Sequence, residues 1–335
     1  MRSLRNPVLR RDFLAAVAGA AIWPHVARAQ QPRIPMIGYL DAGSLAESRQ
    51  ENAVAFNQGL AETGYVPGRN VAFEYREAKG NLELLPELAR DLVRREVDVI
   101  MAPGSGVAAL AAKAVTTTIP IVFSNAGDPV RSGLVASLSH PGGNITGVAD
   151  FGIALSAKRL ELTKLLIPSA SRVGILAPLI QPQAAAHDIA TAQEGARSLG
   201  IDLILLRVSS PDEIDTAFAT LARQRVDALC LVTNLLFFSN RQRVIGLAAQ
   251  HRLPTVYPFI QYAESGGLMS YGSSLTARAH QAGVYVGLIL NGQKPGDLPI
   301  RRLTTFELAI NMTTAKALGL AVPASFLALA DRVIG

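Results

Sequence analysis

Five polar or aromatic residues stand where a run of apolar residues gives way to a turn: Ser44, Ser105, Asp128, Asn234 and Tyr257. Ser105 lies between glycines in Pro103-Gly104-Ser105-Gly106, directly ahead of an apolar helical stretch. A hydroxyl and free backbone N–H groups at a helix N-terminus suit a carboxylate or a phosphate. A plain N-cap has the same composition, because serine is favoured there for its own sake. Asp128, in the turn-forming string Ser124-Asn125-Ala126-Gly127-Asp128-Pro129, is placed either to hold an ammonium group or to cap the helix that follows. Asn234 offers both a donor and an acceptor, and Tyr257 offers a ring for a cleft wall or for the core. Ser44 closes Asp41-Ala42-Gly43-Ser44 after the first apolar run.

The arrangements that would turn such groups to catalysis are missing from the sequence. No G-x-G-x-x-G follows the first strand, and there is no G-x-x-x-x-G-K-[ST], G-x-S-x-G or H-E-x-x-H. His140, His187, His251 and His280 share no short spacing, and His25 lies near the amino terminus. One cysteine, Cys230, rules out an intrachain disulfide and a cysteine-based metal cluster. Its apolar setting, Ala228–Val232, makes it a small buried hydrophobe. Nothing in these residues points to catalysis, and no cofactor or metal is expected.

The elements that must hold these residues alternate in a regular rhythm. Pro35–Leu40, Val71–Tyr75, Val97–Met101 and Ile121–Phe123 read as strands. Between them Arg49–Thr63, Leu82–Arg95 and Val107–Val115 read as helices, with Leu85, Leu88, Ala89 and Leu92 on one face. After the turn signal Pro141-Gly142-Gly143-Asn144 the rhythm restarts. Ser156–Leu166, Ala184–Leu199 and Arg241–His251 are helices, and Ser210-Pro211-Asp212-Glu213 opens another with a serine cap. Val173–Ala177, Leu203–Val208, Ala228–Val232, Thr255–Tyr257 and Leu268–Tyr271 are strands. About sixty residues remain, holding the helix Ala279–Leu290, the strand Phe306–Asn311 and a terminal helix. That is too short for a third domain, so it must complete the first two. Strands alternating with helices predict parallel sheets covered on both faces. A chain that crosses more than once between two such lobes makes a hinge, and ligands bind outside the carboxyl ends of the strands.

The first residues set the expected compartment. Arg2, Arg5, Arg10 and Arg11 precede the apolar stretch Phe13–Ile22, and Ala27-Arg28-Ala29 supplies an A-x-A cleavage pattern. Residues 1–29 therefore read as a secretory signal cleaved after Ala29, which places the mature chain in the periplasm. Arg10-Arg11-Asp12-Phe13-Leu14 resembles the twin-arginine export signal. The whole chain carries a formal charge of +6; the signal's five Arg and one Asp contribute +4, leaving 6 − 4 = +2 on the mature part. So small an excess, interspersed with acids, argues against a nucleic-acid partner.

Several strings together resemble one known family. They are Gly59-Leu60-Ala61-Glu62-Thr63-Gly64-Tyr65-Val66-Pro67-Gly68-Arg69-Asn70-Val71, Asn125 through Val130, and Pro141-Gly142-Gly143-Asn144-Ile145-Thr146-Gly147. Gly266-Gly267-Leu268-Met269-Ser270-Tyr271-Gly272 and Thr314-Ala315-Lys316-Ala317-Leu318-Gly319-Leu320 complete the set. They are similar to the substrate-binding proteins of ABC transporters of the tryptophan- or aromatic-amino-acid-binding type. The resemblance implies an α/β protein of the type I periplasmic binding protein fold: two Rossmann-like lobes with parallel sheets joined by a three-strand hinge. Lobe 1 is expected over residues 35–147 plus about 273–305, and lobe 2 over 151–270 plus about 306–335. The resemblance further implies Ser44, Ser105, Asp128, Asn234 and Tyr257 in the cleft, with Gly147 and Gly272 at the hinge. Leu235-Leu236-Phe237-Phe238, where relatives carry polar residues, implies an apolar side-chain pocket. A monomer delivering an amino acid, aromatic by preference, to the permease and ATPase of an importer is the function implied. A ligand-sensing domain for a membrane receptor and an enzyme on the same scaffold are the competing classes.

Overall fold

The computed structural model describes residues 33–43, 45–104, 106–150, 155–179 and 182–335. The expected signal segment, Ser44 and Ser105 lie outside these. In the first lobe, β1 (Met36–Asp41), β2 (Ala72–Glu77), β3 (Val99–Gly104), β4 (Ile121–Ala126) and β5 (Ile145–Asp150) run parallel. Their order is β5-β4-β3-β1-β2, and β11 (Arg301–Leu303) extends the sheet beside β5. Val99, Ile100, Met101, Val122 and Phe123 are at most 1% exposed. A continuous apolar run is what a central parallel strand needs, since helices cover both of its faces. Those helices are α1 (Leu45–Glu62), α2 (Leu85–Arg94) and α3 (Gly106–Val115). α2 turns Leu85, Ala89 and Leu92 inward, and full burial of each leucine is worth about 1.5–3 kcal/mol.

The second lobe repeats the plan with β6 (Arg172–Pro178), β7 (Asp202–Val208), β8 (Ala228–Leu231), β9 (Thr255–Tyr257) and β10 (Met269–Ser273). Its connecting helices are α4 (Ser156–Leu166), α5 (Pro182–Leu199), α6 (Pro211–Arg223), α7 (Leu235–Ser239), α8 (Arg241–Gln250) and α9 (Ile260–Glu264). Gly200 ends α5 at φ +65°, so the Ile201 N–H can reach back to the Ala196 carbonyl. The helix expected from Ser210 does begin there, but the Ser210 side chain makes no cap bond. Glu213 instead reaches back to the backbone N–H and hydroxyl of Ser209, at 2.7 and 2.8 Å.

Three passages join the lobes. The first runs from Asp150 to Ser156. The second leads from β10 through Ser273 and Ser274 into α10 (Leu275–Leu290), which packs on α1 of the first lobe. The third leaves β11 at Leu303 for β12 (Phe306–Asn311) in the second sheet. β12 pairs antiparallel with β10, so the second sheet is not uniformly parallel. The expected terminal helix is two short ones, α11 (Met312–Ala317) and α12 (Ala324–Leu327), and β13 (Arg332–Ile334) then pairs with β12. α10 approaches α1 closely: a Cβ on Gly283 would strike the Phe56 carbonyl, and one on Gly59 the His280 carbonyl.

Candidate ligand-binding cleft

The order of the first sheet sets the carboxyl ends of β5, β4, β3 and β1 side by side. Asp150, the Gly127-Asp128 turn, the loop at Gly104 and the loop at Gly43 therefore form one row. The Gly127 N–H donates to the Asp150 carbonyl at 2.8 Å, which ties the Asp128 turn to the first passage. In the second sheet the neighbours β10, β9 and β8 end at Ser273, Pro258-Phe259 and Thr233-Asn234. The rows meet. Leu235 of α7 packs against the first lobe's core, and its Cδ1 lies 3.2 Å from where a Cβ on Gly43 would stand. At the other end Ser273 donates to Asp150 Oδ2 at 2.7 Å.

A narrow crevice, too tight in this arrangement to admit a water molecule, lies between the rows, lined by Asp150, Leu155, Arg159, Thr233, Phe259 and Ser273, with Pro258 beside them. Its charged groups are deeply buried: Asp150 and Arg159 are each 1% exposed. Arg278 from the start of α10 pairs with Asp150 Oδ2 at 2.6 Å, so that carboxylate is matched. Arg159 donates from Nε to the Tyr271 carbonyl at 2.8 Å and from Nη1 to Ser156 Oγ at 3.3 Å. Its nearest carboxylate, Asp188, is 3.9 Å from Nη1. Burial pushes the Asp188 carboxyl above its ordinary range, with the Arg159 charge opposing. A second hollow, at Gly292, Gln293, Lys294, Asp297 and Leu298, adjoins the far end of β5, where Gly296 approaches Gly143.

The residues anticipated from the sequence fall into distinct places. Asp128 caps its own turn: the Val130 and Arg131 N–H groups donate to Oδ1 at 2.9 and 3.1 Å. Asn234 caps α7, accepting from the Leu236 N–H at 2.8 Å. Both stand on the rows of strand ends, though neither lines the gap itself. The Tyr257 ring does not; it is 1% exposed and stacks on Tyr262 at 4.8 Å, inside the second lobe's core. Burial holds its hydroxyl well above the ordinary tyrosine range. The neighbours of Tyr257 in sequence, Pro258 and Phe259, are the ones that reach the gap. Ser44 and Ser105 lie outside the described residues, though the strands leading to them end in the first row. Phe237 and Phe238 also turn from the cleft: Phe237 is fully buried, and Phe238 meets Phe259 and Tyr262 edge-on at 5.7 and 6.1 Å.

Gly147 sits within β5, where a Cβ would strike the Phe123 carbonyl and ring. Gly272 stands one residue before the second passage, and a Cβ there would strike the Pro258 carbonyl. Asp150, Arg159 and Ser273 were not singled out from the sequence. The signal for Asp150 was an acid closing Ile145–Asp150, hidden by the glycine turn just ahead of it. Arg159 carried no signal, since nothing in a helical arginine tells which strand it will meet.

Residues 45–334 match the family described as ABC transporter substrate binding protein. The chain belongs to that family. A tyrosine-binding protein of Clostridioides difficile (strain R20291) is 28% identical over 263 residues, covering 78% of this chain and 75% of that protein. The ABC domain from Streptococcus pneumonia solved in complex with L-Trp superposes with a TM-score of 0.81 at 25% identity, covering 90% of this chain and 99% of that one. A conserved domain protein from Vibrio cholerae O1 biovar eltor gives 0.81 at 27% identity, covering 90% and 100%. As a substrate-binding protein of an ABC transporter, this chain takes a small molecule, and its family is not one of enzymes. Among the described residues no helix is long and apolar enough to cross a membrane.

Proposed function

We propose that the mature chain captures an amino acid, aromatic by preference, in the interlobe cleft and hands it to the permease and ATPase of an importer. One observation carries this reading: strand ends of both lobes converge on a gap lined by the buried charges of Asp150 and Arg159. The relatives known as tyrosine-binding or solved with L-Trp support the ligand class. In this reading the Asp128 turn receives the ammonium group, while Ser44, Ser105 and Asn234 line the cleft. Tyr257 backs the wall that Pro258 and Phe259 present. No bond is made or broken, so the ligand leaves as it entered, and the protein works as a monomer. Export through residues 1–29, cleaved after Ala29, puts it in the periplasm, and the hinge passes by Gly147 and Gly272.

The test uses the permease and ATPase of the cognate importer, reconstituted in vesicles. The mature protein loaded with L-tryptophan or L-tyrosine should raise ATP hydrolysis and carry labelled ligand inward. A protein that binds these amino acids but stimulates no transporter, and instead activates a membrane receptor, would make it a sensor domain.

A further inference from the structure

We propose that the Arg159 guanidinium anchors the carboxylate of the ligand. The proposal rests on the reading of the cleft as an amino-acid site and assigns a subsite within it. Arg159 projects from the first turn of α4, the first helix beyond the Asp150 passage, and it lines the gap with Asp150 and Ser273. Nε is occupied by the Tyr271 carbonyl and Nη1 by the Ser156 hydroxyl, so the head of the side chain is held in one orientation. Nη2 makes no hydrogen bond to any described residue. It lies 3.7 Å from where a Cβ on Gly272 would stand, a position that the Pro258 carbonyl fills instead.

The charge is as informative as the geometry. A guanidinium 1% exposed carries a large desolvation penalty unless an anion meets it. The two carboxylates nearby leave Nη2 open: Asp150 is taken up by Arg278 and Ser273, and Asp188 pairs with Arg159 through Nη1, at 3.9 Å. A carboxylate reaching Nη2 would supply a closer anionic partner, and a planar fork of donors matches it in shape. Phe259, beside Pro258 and Leu155, offers an apolar surface for the remainder of an aromatic amino acid. Sequence reasoning placed the anion at Ser105, so the two sites compete for one role.

The experiment is calorimetry on the mature chain with L-tryptophan and L-tryptophanamide, and with L-tyrosine and L-tyrosinamide. The wild type should prefer each acid over its amide by roughly 10- to 100-fold, the range of one charged hydrogen bond. Arg159→Gln should erase that preference by weakening the acid while leaving the amide nearly unchanged. Arg159→Lys keeps the charge without the fork; it should retain part of the preference, and it carries the test should the glutamine variant fail to fold. In Ser105→Ala the acid and the amide should weaken together, so the ratio between them holds. An undiminished preference in both Arg159 variants overturns the assignment alone, and its loss in Ser105→Ala moves the anion to that loop. A wild type that binds no amino acid overturns the amino-acid reading and this subsite with it.

Discussion

Asp128 holds its own turn and is proposed to receive the ligand's ammonium group, and its two oxygens allow these roles to be separated. Oδ1 accepts from Val130 and Arg131, so it holds the turn. Asp128→Asn keeps an acceptor at that position while removing the charge. Calorimetry should then show an amino acid weakened by roughly 10- to 100-fold, with the melting temperature unchanged. Asp128→Ala should in addition lose about 1 kcal/mol of stability, the usual cost of a missing cap. Intact affinity with lowered stability would leave Asp128 to its turn alone. The place of such residues was legible in the sequence because acids and amides beside glycine after an apolar run mark the turn at a strand's end. Arg159 was not legible: its partner, the Tyr271 carbonyl, is 112 residues away, and only the folded sheet brings them together. Tyr257 misled for the converse reason, since the strand's last side chain points to the core and the next two to the gap.

Helices α1 and α10 depend on glycine where they touch. A methyl group on Gly283 must displace the Phe56 carbonyl, a backbone atom with no room to yield. Gly283→Ala should cost about 1–3 kcal/mol, as overpacked cores do, and a fall in melting temperature measures it; an unchanged value would mean the helices can part freely. On α2 the Asp91 carboxyl is lowered from 3.8 to about 2, chiefly by the hydrogen bond from Arg76, then by Arg95 and Arg94. Its folded pKa lies below its unfolded one, so the stabilisation is present above about pH 4 and lost as pH falls through about 2. Asp91→Asn should flatten the dependence of stability on pH across that window, followed by denaturant unfolding. Long elements such as α5 and the central strands declared themselves through unbroken periodicity or apolar runs. The short or glycine-bearing ones, β5, α7, α9 and β13, did not. Thr146 and Gly147 interrupt β5, and the few residues of α7 owe their helix to the Asn234 cap and to packing around Phe237.

At the scale of the whole molecule, two sheets meet through three passages, and contact between them is made by few residues. Leu235 against the Gly43 loop and Ser273 on Asp150 hold the rows together here. A ligand touching both rows should favour the closed arrangement over the open one. Small-angle scattering should therefore record a smaller radius of gyration with ligand bound; no compaction by a ligand proven to bind would contradict a hinge. The two-lobed plan was legible from the repeated rhythm of strands and helices, while the antiparallel β12 and the pairing of the last residues required the third passage to be seen. The central claim, that the cleft is built for an amino acid, is tested most directly by isothermal calorimetry of the mature chain against L-tryptophan and L-tyrosine. Saturable binding of one molecule per chain, with the melting temperature rising as free ligand increases, is the result predicted. Neither heat nor thermal shift with these or any other amino acid, alongside binding of a ligand that lacks a carboxylate, would contradict it.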